Sequence, residues 1–410
     1  MKSNERIMDL VLRGAHKLIY CYWVDPLQRR IPDLSALKPG WRRRALLGSA
    51  LWAVNLGRLA ITDFRVHARR LRGDQWSVVY IGGGFSLEEL RHSLFPTPPE
   101  VEDLSRVFLW QVPALAKRFA DQGELVVCEL NQIIRWQPRG AYVFTVPRSI
   151  KQILNIARPM EDILAAMNRD RRRLLRRMHE QGFSYVFTQE HADLDLFYHK
   201  MYCPYIGQKH GTRATLDEYD AVRHQFERGG LILVKRDQEP ICGILCQIIG
   251  DTCEATHMGV LEGCFDQVSE GINVALQWFA LDWARQKGSR YLDLGASRAK
   301  VSNGIFHFKQ QWGTQVARHH DVHTQWVFYS EELPFRLRSY LNEQGFISEV
   351  AGLHYQVILL DFAEELSETE LARKRREASR LGLAGVLVVS PESDGKESPN
   401  LCKSVLSRAA

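Results

Sequence analysis

The chain of 410 residues has few of the features that mark secreted or membrane-spanning proteins. Its eight cysteines are too sparse for a disulfide framework, which is typical of a reducing compartment. An apolar stretch at 45–57 contains 13 residues without a charge, fewer than the about 20 that a bilayer crossing needs. Residues 1–13 carry scattered charges and no apolar core, so no secretory signal is expected. We therefore expect a cytoplasmic protein, either in solution or peripheral to the inner membrane.

Nucleotide and metal motifs are also lacking. Three consecutive glycines at 82–84 follow a predicted strand, but they lack the Gly-x-Gly-x-x-Gly spacing and the downstream acid of a dinucleotide site. Two sets of side chains alternate along predicted strands and could chelate an ion: Cys242 with Cys246, and His319 with Asp321 and His323. The cysteine spacing is not that of a zinc knuckle, and histidines on strands are commonly structural. We expect no metal site.

Positive charge is concentrated at the N-terminus. Residues 1–73 contain 15 lysines and arginines against 5 acids, whereas the whole chain has a formal net charge of +6. Three arginines at 42–44 precede the apolar stretch 45–57, and Arg58 follows it. Three interpretations remain open for this stretch: a spanning helix, a buried helix, and an interfacial helix whose basic flank contacts an anionic membrane surface.

The region between Gly230 and Gly313 has the most informative pattern. Apolar, β-prone runs alternate with turn residues, and a helical pattern with one apolar face ends at a basic, glycine-terminated turn. A short strand and a segment punctuated by glycines follow. The predicted elements are strands at 231–236, 241–249 and 252–260, a helix with Ile272, Leu276, Phe279 and Trp283 on one face, and a strand at 291–295.

Three segments of this region, in this order, resemble the GNAT superfamily of acyltransferases and more closely its FemAB-like branch. They are Trp283-Ala-Arg-Gln-Lys-Gly288, Tyr291-Leu-Asp-Leu-Gly295 and Phe308-Lys309-Gln-Gln-Trp312-Gly313. The resemblance implies an α/β fold with a mixed sheet, built from two GNAT-like halves. The expected divisions are a basic helical region at 1–75, a reduced first half at 76–156, the acyltransferase domain at 157–363, and a charged helix with a disordered tail at 364–410.

The resemblance also implies catalytic residues. The lysine of the matching Phe-Lys pair is Lys309, whose ammonium would stabilise the oxyanion of a tetrahedral intermediate. His257 and Asp293 are candidates for accepting the proton of the attacking amine, because they lie near predicted strand ends. Asp293 has an alternative role, in which it orients Tyr291 or a backbone amide. Glu254 lies in the same region.

Substrate-binding residues are implied as well. In the resembled family the loop at 202–213 lies by the acceptor pocket, which carries over to Tyr205, His210 and Arg213; a plain surface loop is the alternative. Phe308 and Trp312 flank the lysine and are expected to line the site.

The acyl donor remains open between two classes. CoA-dependent GNAT proteins bind pyrophosphate at a helix N-terminus, where free N–H groups and the helix dipole favour an anion. Here the matching residues are Gln267, Gly271 and Asn273, with one extra residue and an asparagine at the second small position. Acyl-CoA is the expected donor, as a substrate rather than a bound cofactor. The extra residue and the asparagine are also found in the aminoacyl-tRNA-dependent proteins of the FemAB-like branch, so the resemblance implies tRNA as the alternative partner.

A predicted helix at 160–181 carries six arginines between 169 and 177. It is interpreted either as a solvated charged face or as a wall facing phosphate groups. We expect an acyltransferase that modifies an amino or hydroxyl group of a cell-envelope saccharide, peptide or lipid precursor, with a small-molecule or lipid-linked acceptor. A non-catalytic module that docks on anionic membrane or nucleic acid is the alternative from another class.

Overall fold

A computed structural model describes residues 65–84, 87–131, 136, 138–210, 216–264, 271–319, 324–361 and 364–391. The apolar stretch at 45–57 and the tail beyond 391 lie outside these residues. Within them, no helix combines the length and apolar character that crossing a bilayer requires. The chain divides into two compact units, whose described parts are 151–295 with 309–314, and 65–150 with 296–308 and 315–391.

Strands and helices both occur along the whole described chain. The strands are β1 (Arg65–Arg72), β2 (Ser77–Gly82), β3 (Glu100–Phe108), β4 (Leu125–Asn131), β5 (Tyr142–Pro147), β6 (Ser149–Asn155), β7 (Ser184–Thr188), β8 (Gly230–Arg236), β9 (Glu239–Ile249), β10 (Thr252–Val260), β11 (Tyr291–Arg298), β12 (Gln315–Arg318), β13 (Thr324–Ser330), β14 (Ile347–Val350), β15 (Leu353–Leu359) and β16 (Gly385–Val389).

The helices are α1 (Leu87–Leu94), α2 (Val112–Ala120), α3 (Met160–Ala166), α4 (Arg169–Glu180), α5 (His191–Leu196), α6 (Cys203–His210), α7 (Tyr219–Arg228), α8 (Ile272–Gln286), α9 (Gly304–Gln310), α10 (Phe335–Gln344) and α11 (Glu368–Arg380). A π-helical turn (Phe197–Tyr202) joins α5 to α6, and short 3-10 turns lie at Leu109–Gln111 and Leu261–Gly263.

The first unit is built on a sheet whose strands run in the order β6-β11-β10-β9-β8-β7. Strands β7 to β10 pair antiparallel, and β10 pairs parallel with β11. A tight turn at Asp237 and Gln238, both with positive φ, joins β8 to β9. The strands predicted at 231–236, 241–249, 252–260 and 291–295 are confirmed, because each apolar run is long enough to form a strand with one or both faces buried.

Helix α8 packs its apolar face against this sheet. The four side chains predicted to share that face are all buried in one core: Ile272, Leu276, Phe279 and Trp283. The helix ends at Lys287, and Gly288 follows with a φ of +79°, a conformation that favours glycine. A second core, containing Phe197, Phe226 and Leu245, joins the π-helical turn and α7 to β8 and β9.

The second unit contains two sheets, with strand orders β3-β1-β2-β4-β13-β5 and β14-β15-β16. Two expectations are corrected here. Strand β1 occupies the end of the region 1–75, which was expected to be helical. The segment after residue 364 was expected to be a charged helix followed directly by a disordered tail. Instead, strand β16 follows the helix, pairs parallel with β15 and buries its apolar side chains.

The prediction of a single helix at 160–181 is wrong, because two helices occupy this segment. Helix α3 ends at Ala166 and α4 begins at Arg169, with extended backbone at Met167 and Asn168 between them. The Asn168 side chain accepts a hydrogen bond from the Asp170 N–H at 2.7 Å, which makes it a side-chain cap for α4. The backbone N–H of Asn168 donates to the carbonyl of Gln311 at 2.9 Å, so a tertiary contact holds the break between the two helices.

Candidate functional site

A row of polar side chains crosses four neighbouring strands of the first unit. Glu254 on β10 lies in register with Asp293 on β11, and the Lys151 ammonium from β6 contacts both carboxylates, at 3.1 and 2.6 Å. On the other side, Gln247 of β9 donates to Glu254 at 2.8 Å. Asp293 is only 3% exposed, and Gln247 is also buried. We call Gln247, Glu254, Asp293 and Lys151 the polar row.

The polar row marks the point where two parallel strands cease to pair. The registered pairs between β10 and β11 end at Glu254 and Asp293, although both strands continue beyond. The Asp293 carboxylate accepts a hydrogen bond from the backbone N–H of Gly295 at 2.7 Å. Gly295 has a φ of +80°, which a side chain would strain. Asp293 therefore fixes the backbone of β11 where it leaves β10.

Lys309 points its ammonium toward this backbone. Its Nζ lies 3.7 Å from the position that a Cβ on Gly295 would occupy, and the Ala255 carbonyl oxygen lies 3.9 Å from the same position. The residue is 8% exposed. Its carbonyl accepts a hydrogen bond from Thr314, whose hydroxyl in turn accepts one from the buried Gln152. Lys309 is thus a buried residue of the first unit, with its backbone held by Thr314 and its ammonium beside the separated strands.

His257 lies on β10 past this point, within an irregularity of the pairing between Ala255 and Met258. Its Nε2 is 2.8 Å from the carboxylate of Asp217. An ionised carboxylate can only accept, so Nε2 carries a proton, and in the neutral imidazole Nδ1 keeps its lone pair. This Nδ1 is buried and has no hydrogen-bond partner among the described residues. The arrangement resembles a general base held by an orienting acid.

A close backbone approach brings aromatic residues to His257. A Cβ on Gly259 would lie 2.5 Å from the N of Tyr202 and 2.6 Å from the carbonyl carbon of Met201, so only glycine fits. The Tyr202 ring packs edge-on against the imidazole, with centroids 5.2 Å apart. Its hydroxyl accepts from the Asp217 N–H at 3.2 Å. The π-helical turn, a feature that is frequent at functional sites, therefore supports both members of the His257–Asp217 pair.

The predicted acceptor-binding residues fall in different places. The expected loop at 202–213 is a helix up to residue 210, and Tyr205 is 1% exposed within the core of the first unit. Apolar packing by its ring explains why the loop assignment was wrong. His210 ends α6, but its side chain and the whole of Arg213 lie outside the described residues. Acceptor binding by these three residues remains a prediction.

The two predicted aromatic residues flanking Lys309 also differ in burial. Phe308 is half-buried, whereas Trp312 is 1% exposed and belongs to the core that contains α8. Gly313 has a φ of +74°, and a Cβ there would lie 2.8 Å from that of Ala166. The segment after Lys309 is thus packed closely against α3, and Trp312 anchors it.

The predicted donor-binding residues lie at the start of α8. Gly271 is its N-cap with a φ of +102°, and Asn273 is in the first turn. The Asn273 Oδ1 is buried without a hydrogen-bond partner among the described residues, and so is the Oε1 of Gln277 one turn later. Gln267 lies outside the described residues. Unpaired oxygens prefer a hydrogen-bond donor to an anion, so these two side-chain oxygens do not suit a phosphate. Donor binding by Gln267, Gly271 and Asn273 remains a prediction.

Helix α4 presents a stripe of guanidinium groups beside this region. Five arginines with helical spacing are exposed, while Leu175 and Met178 are buried on the opposite face. The Leu174 side chain lies 3.4 Å from the position that a Cβ on Gly271 would occupy, which places α4 against the start of α8. We call the following set the arginine stripe: Arg169, Arg172, Arg173, Arg176 and Arg177.

The arginine stripe has little acidic compensation. Its one salt bridge among the described residues is a long contact of 3.8 Å between Arg173 and Asp170. The sixth arginine, Arg171, instead donates to Gln311 at 2.7 Å, and burial lowers its pKa to about 10. Guanidinium groups one turn apart repel each other by roughly 0.2–0.5 kcal/mol per pair, so an external anion would stabilise this helix.

Metal coordination finds no support in the described residues, where no group of three or more histidine, cysteine or acidic side chains is close enough to bind an ion. Cys242 and Cys246 are buried, and a hydrogen bond with Cys253, together with burial, raises the Cys246 pKa well above its usual value. A protonated thiol is a weak ligand. Asp321 and His323 lie outside the described residues.

Comparison with known proteins finds similarity only among solved structures. No family model matches the chain, and no curated protein matches it. The structure of L-PGS from Bacillus licheniformis is 11% identical over 68% of this chain and 85% of that chain, with a TM-score of 0.32. FemX is 13% identical over 67% of this chain and 90% of that chain, with a TM-score of 0.36.

A third structure, a GCN5-related N-acetyltransferase from Sphaerobacter thermophilus, is 10% identical over 63% of this chain and 74% of that chain, with a TM-score of 0.30. At these TM-scores the similarities carry no argument about this chain. The predicted mixed α/β fold class is confirmed by the strands, helices and sheets of the chain itself.

Proposed function

We propose that this protein is an acyltransferase that moves an acyl group from a thioester donor, acyl-CoA or a similar molecule, onto an amino or hydroxyl group of a cell-envelope saccharide, peptide or lipid precursor. The observation that carries the proposal is the buried ammonium of Lys309 beside the point where β10 and β11 separate. A cation in a site of low dielectric stabilises negative charge far better than the same cation in water.

Lys309 and His257 divide the chemical step between them. The acceptor nitrogen or oxygen attacks the thioester carbonyl carbon, and the carbonyl π electrons become an oxyanion that the Lys309 ammonium stabilises. The Nδ1 of His257 accepts the proton of the attacking group. When the intermediate collapses, the carbon–sulfur bond breaks and the thiolate leaves with the bonding electrons. The imidazolium then returns its proton to the thiolate, which regenerates the starting state.

Replacement of Lys309 by methionine tests this proposal directly. Loss of an oxyanion-stabilising group costs about 10²–10³-fold in kcat, and methionine preserves the length of the side chain. The control is Lys287→Met, which removes an exposed lysine from the same unit. Product formation by purified protein is measured with candidate acyl donors and acceptors, and folding is checked by circular dichroism. Full activity of the Lys309 variant would overturn the proposal.

The donor site is proposed at the start of α8, because the first N–H groups of a helix have no partner within it and can bind a pyrophosphate. Acyl-CoA bound only by the native protein raises the melting temperature by mass action. An arginine stripe next to this helix end favours a second candidate, an aminoacyl-tRNA-dependent aminoacyltransferase, because a row of guanidiniums suits a phosphodiester backbone.

The two donors are distinguishable by the same stability assay. Aminoacyl-tRNA would stabilise the protein in a strongly salt-dependent manner, because binding a polyanion releases counterions. Acyl-CoA would stabilise it with a weaker salt dependence. If neither donor binds and the Lys309 variant supports normal cellular function, a non-catalytic module that docks on anionic membrane or nucleic acid is the better description.

A further inference from the structure

Lys151 is the least expected member of the polar row. It comes from β6, in the middle of a strand whose side chains alternate between buried and half-buried positions. Its side chain is 19% exposed, that of Glu254 is 17% exposed and that of Asp293 is 4% exposed. Two carboxylates on adjacent strands repel each other, and leaving either one buried without a cation is strongly unfavourable. Lys151 compensates both of them with one charge.

The contacts of Asp293 connect this compensation to the proposed catalytic lysine. One carboxylate oxygen binds Lys151, and the other accepts the Gly295 N–H. Gly295 in turn forms the backbone against which the Lys309 ammonium lies. We propose that Lys151 is a positioning residue: it holds the Asp293 carboxylate in its contact with Gly295, and so holds the Lys309 ammonium where an oxyanion develops. This inference rests on the proposed acyltransferase function.

The charge balance of the site explains the expected effect. The charged groups that these contacts bring together are Lys151 from β6, Glu254 from β10, Asp293 from β11 and Lys309 from α9. Without Lys151, this set of groups contains two carboxylates and one cation, Lys309. The ammonium would then be drawn toward the carboxylates, or the Asp293 side chain, without its contact to Lys151, would turn away from Gly295. Either change lowers transition-state stabilisation.

The test uses the full-length protein and two variants. Lys151→Met removes the charge, and the double variant Lys151→Met with Glu254→Gln removes one carboxylate as well, which restores the original net charge. Glutamine at 254 still offers an oxygen to Gln247. We expect Lys151→Met to lower kcat at least about tenfold with a smaller change in KM, because the effect falls on the transition state. The double variant should recover most of that loss.

A second readout does not depend on activity. Hydrogen exchange of the Gly295 amide, followed by NMR with ¹⁵N-glycine labelling, should accelerate in Lys151→Met and slow again in the double variant. Lys117→Met, which removes an exposed ion-paired lysine, should change neither readout. If Lys309→Met retains activity, the proposed function fails, while Gly295 exchange still reports on Lys151.

Each remaining outcome decides the inference. Unchanged kcat and unchanged Gly295 protection in Lys151→Met would overturn it. A loss of kcat that Glu254→Gln does not restore would also overturn it, because charge balance would not be the cause. If Lys151→Met fails to fold while the double variant folds and is active, charge compensation is supported. If both fail to fold, the role of Lys151 is one of packing and the inference is wrong.

Discussion

Replacement of Asp217 by asparagine isolates the proposed general base from the rest of the site. The carboxylate of Asp217 fixes the proton of His257 on Nε2, which leaves Nδ1 free to accept a proton. Asparagine has nearly the same shape, but its amide can donate as well as accept. The variant therefore permits the opposite tautomer, in which Nδ1 carries the proton and cannot act as a base.

The size of the effect follows from the contact and its exposure. A hydrogen bond to a charged group contributes about 1.5–3 kcal/mol. The Asp217 side chain is 41% exposed while that of His257 is 12% exposed, so solvent weakens the interaction and the lower end applies. A loss of about 1.4 kcal/mol corresponds to a roughly tenfold lower kcat. Stability should change little, because Asp217 is partly in solvent.

The assay compares kcat and the state of the imidazole in one series. ¹⁵N chemical shifts of labelled histidine report which ring nitrogen carries the proton, and they should show more of the Nδ1–H tautomer in Asp217→Asn. Asp220→Asn is the matched control, because that carboxylate is 67% exposed and pairs with Arg223 on the helix surface. A variant that keeps kcat within about twofold while its tautomer changes would refute His257 as the base.

Two further predictions concern stability. Gly259→Ala should destabilise the protein by about 1–3 kcal/mol in urea unfolding, because its methyl group would meet the backbone of Tyr202, whereas Gly207→Ala in open space should not. Burial, and to a smaller extent Arg318, lowers the pKa of His354 to about 4. In the unfolded chain this histidine binds a proton near its usual pKa of 6.5, so the free energy of unfolding should fall as pH drops from about 6.5 to 4. His354→Gln should flatten that slope. An unchanged slope would contradict the role of His354 in the pH dependence.

Periodicity predicted the elements that a single apolar face defines. Strands β8 to β11 and helix α8 follow directly from the spacing of their apolar residues, because the sheet and the helix bury those residues against each other. The break before α4 was missed although a local signal was present. Asn168 is a strong N-cap, but the run of helix-forming residues on both sides favoured a continuous helix.

Strand β16 was missed for a different reason. Its five residues are apolar and β-prone, which is a clear strand signal, but it follows a charged helix near a region of tail-like composition. Parallel pairing with β15 decides its structure, and a partner some 30 positions earlier in the chain is not visible in local pattern.

The site was only partly predictable. The sequence predicts Lys309, His257 and Asp293 as candidates from the resemblance and from positions near strand ends, and these roles remain predictions. The alternative role of Asp293 in orienting a backbone amide matches its contact with Gly295. Lys151 and Asp217 were not identified. Lys151 is 103 positions from Glu254, and Asp217 is 40 positions from His257, so neither pair forms a motif. A lone charge within an alternating strand was the only signal for Lys151.

The separation of β10 from β11 explains why the proposed base and the proposed oxyanion cation depend on different partners. Past the polar row, β10 continues to His257 and is supported by the π-helical turn. In contrast, β11 continues to Gly295, against which Lys309 lies. A sheet that stayed paired would satisfy these backbone groups internally and leave no room for a substrate between them. Glu254 and Asp293 form the last registered pair, next to the point where the two strands separate and the chemistry is proposed to occur. Because these two carboxylates are largely buried, they need the positive charge of Lys151 beside them.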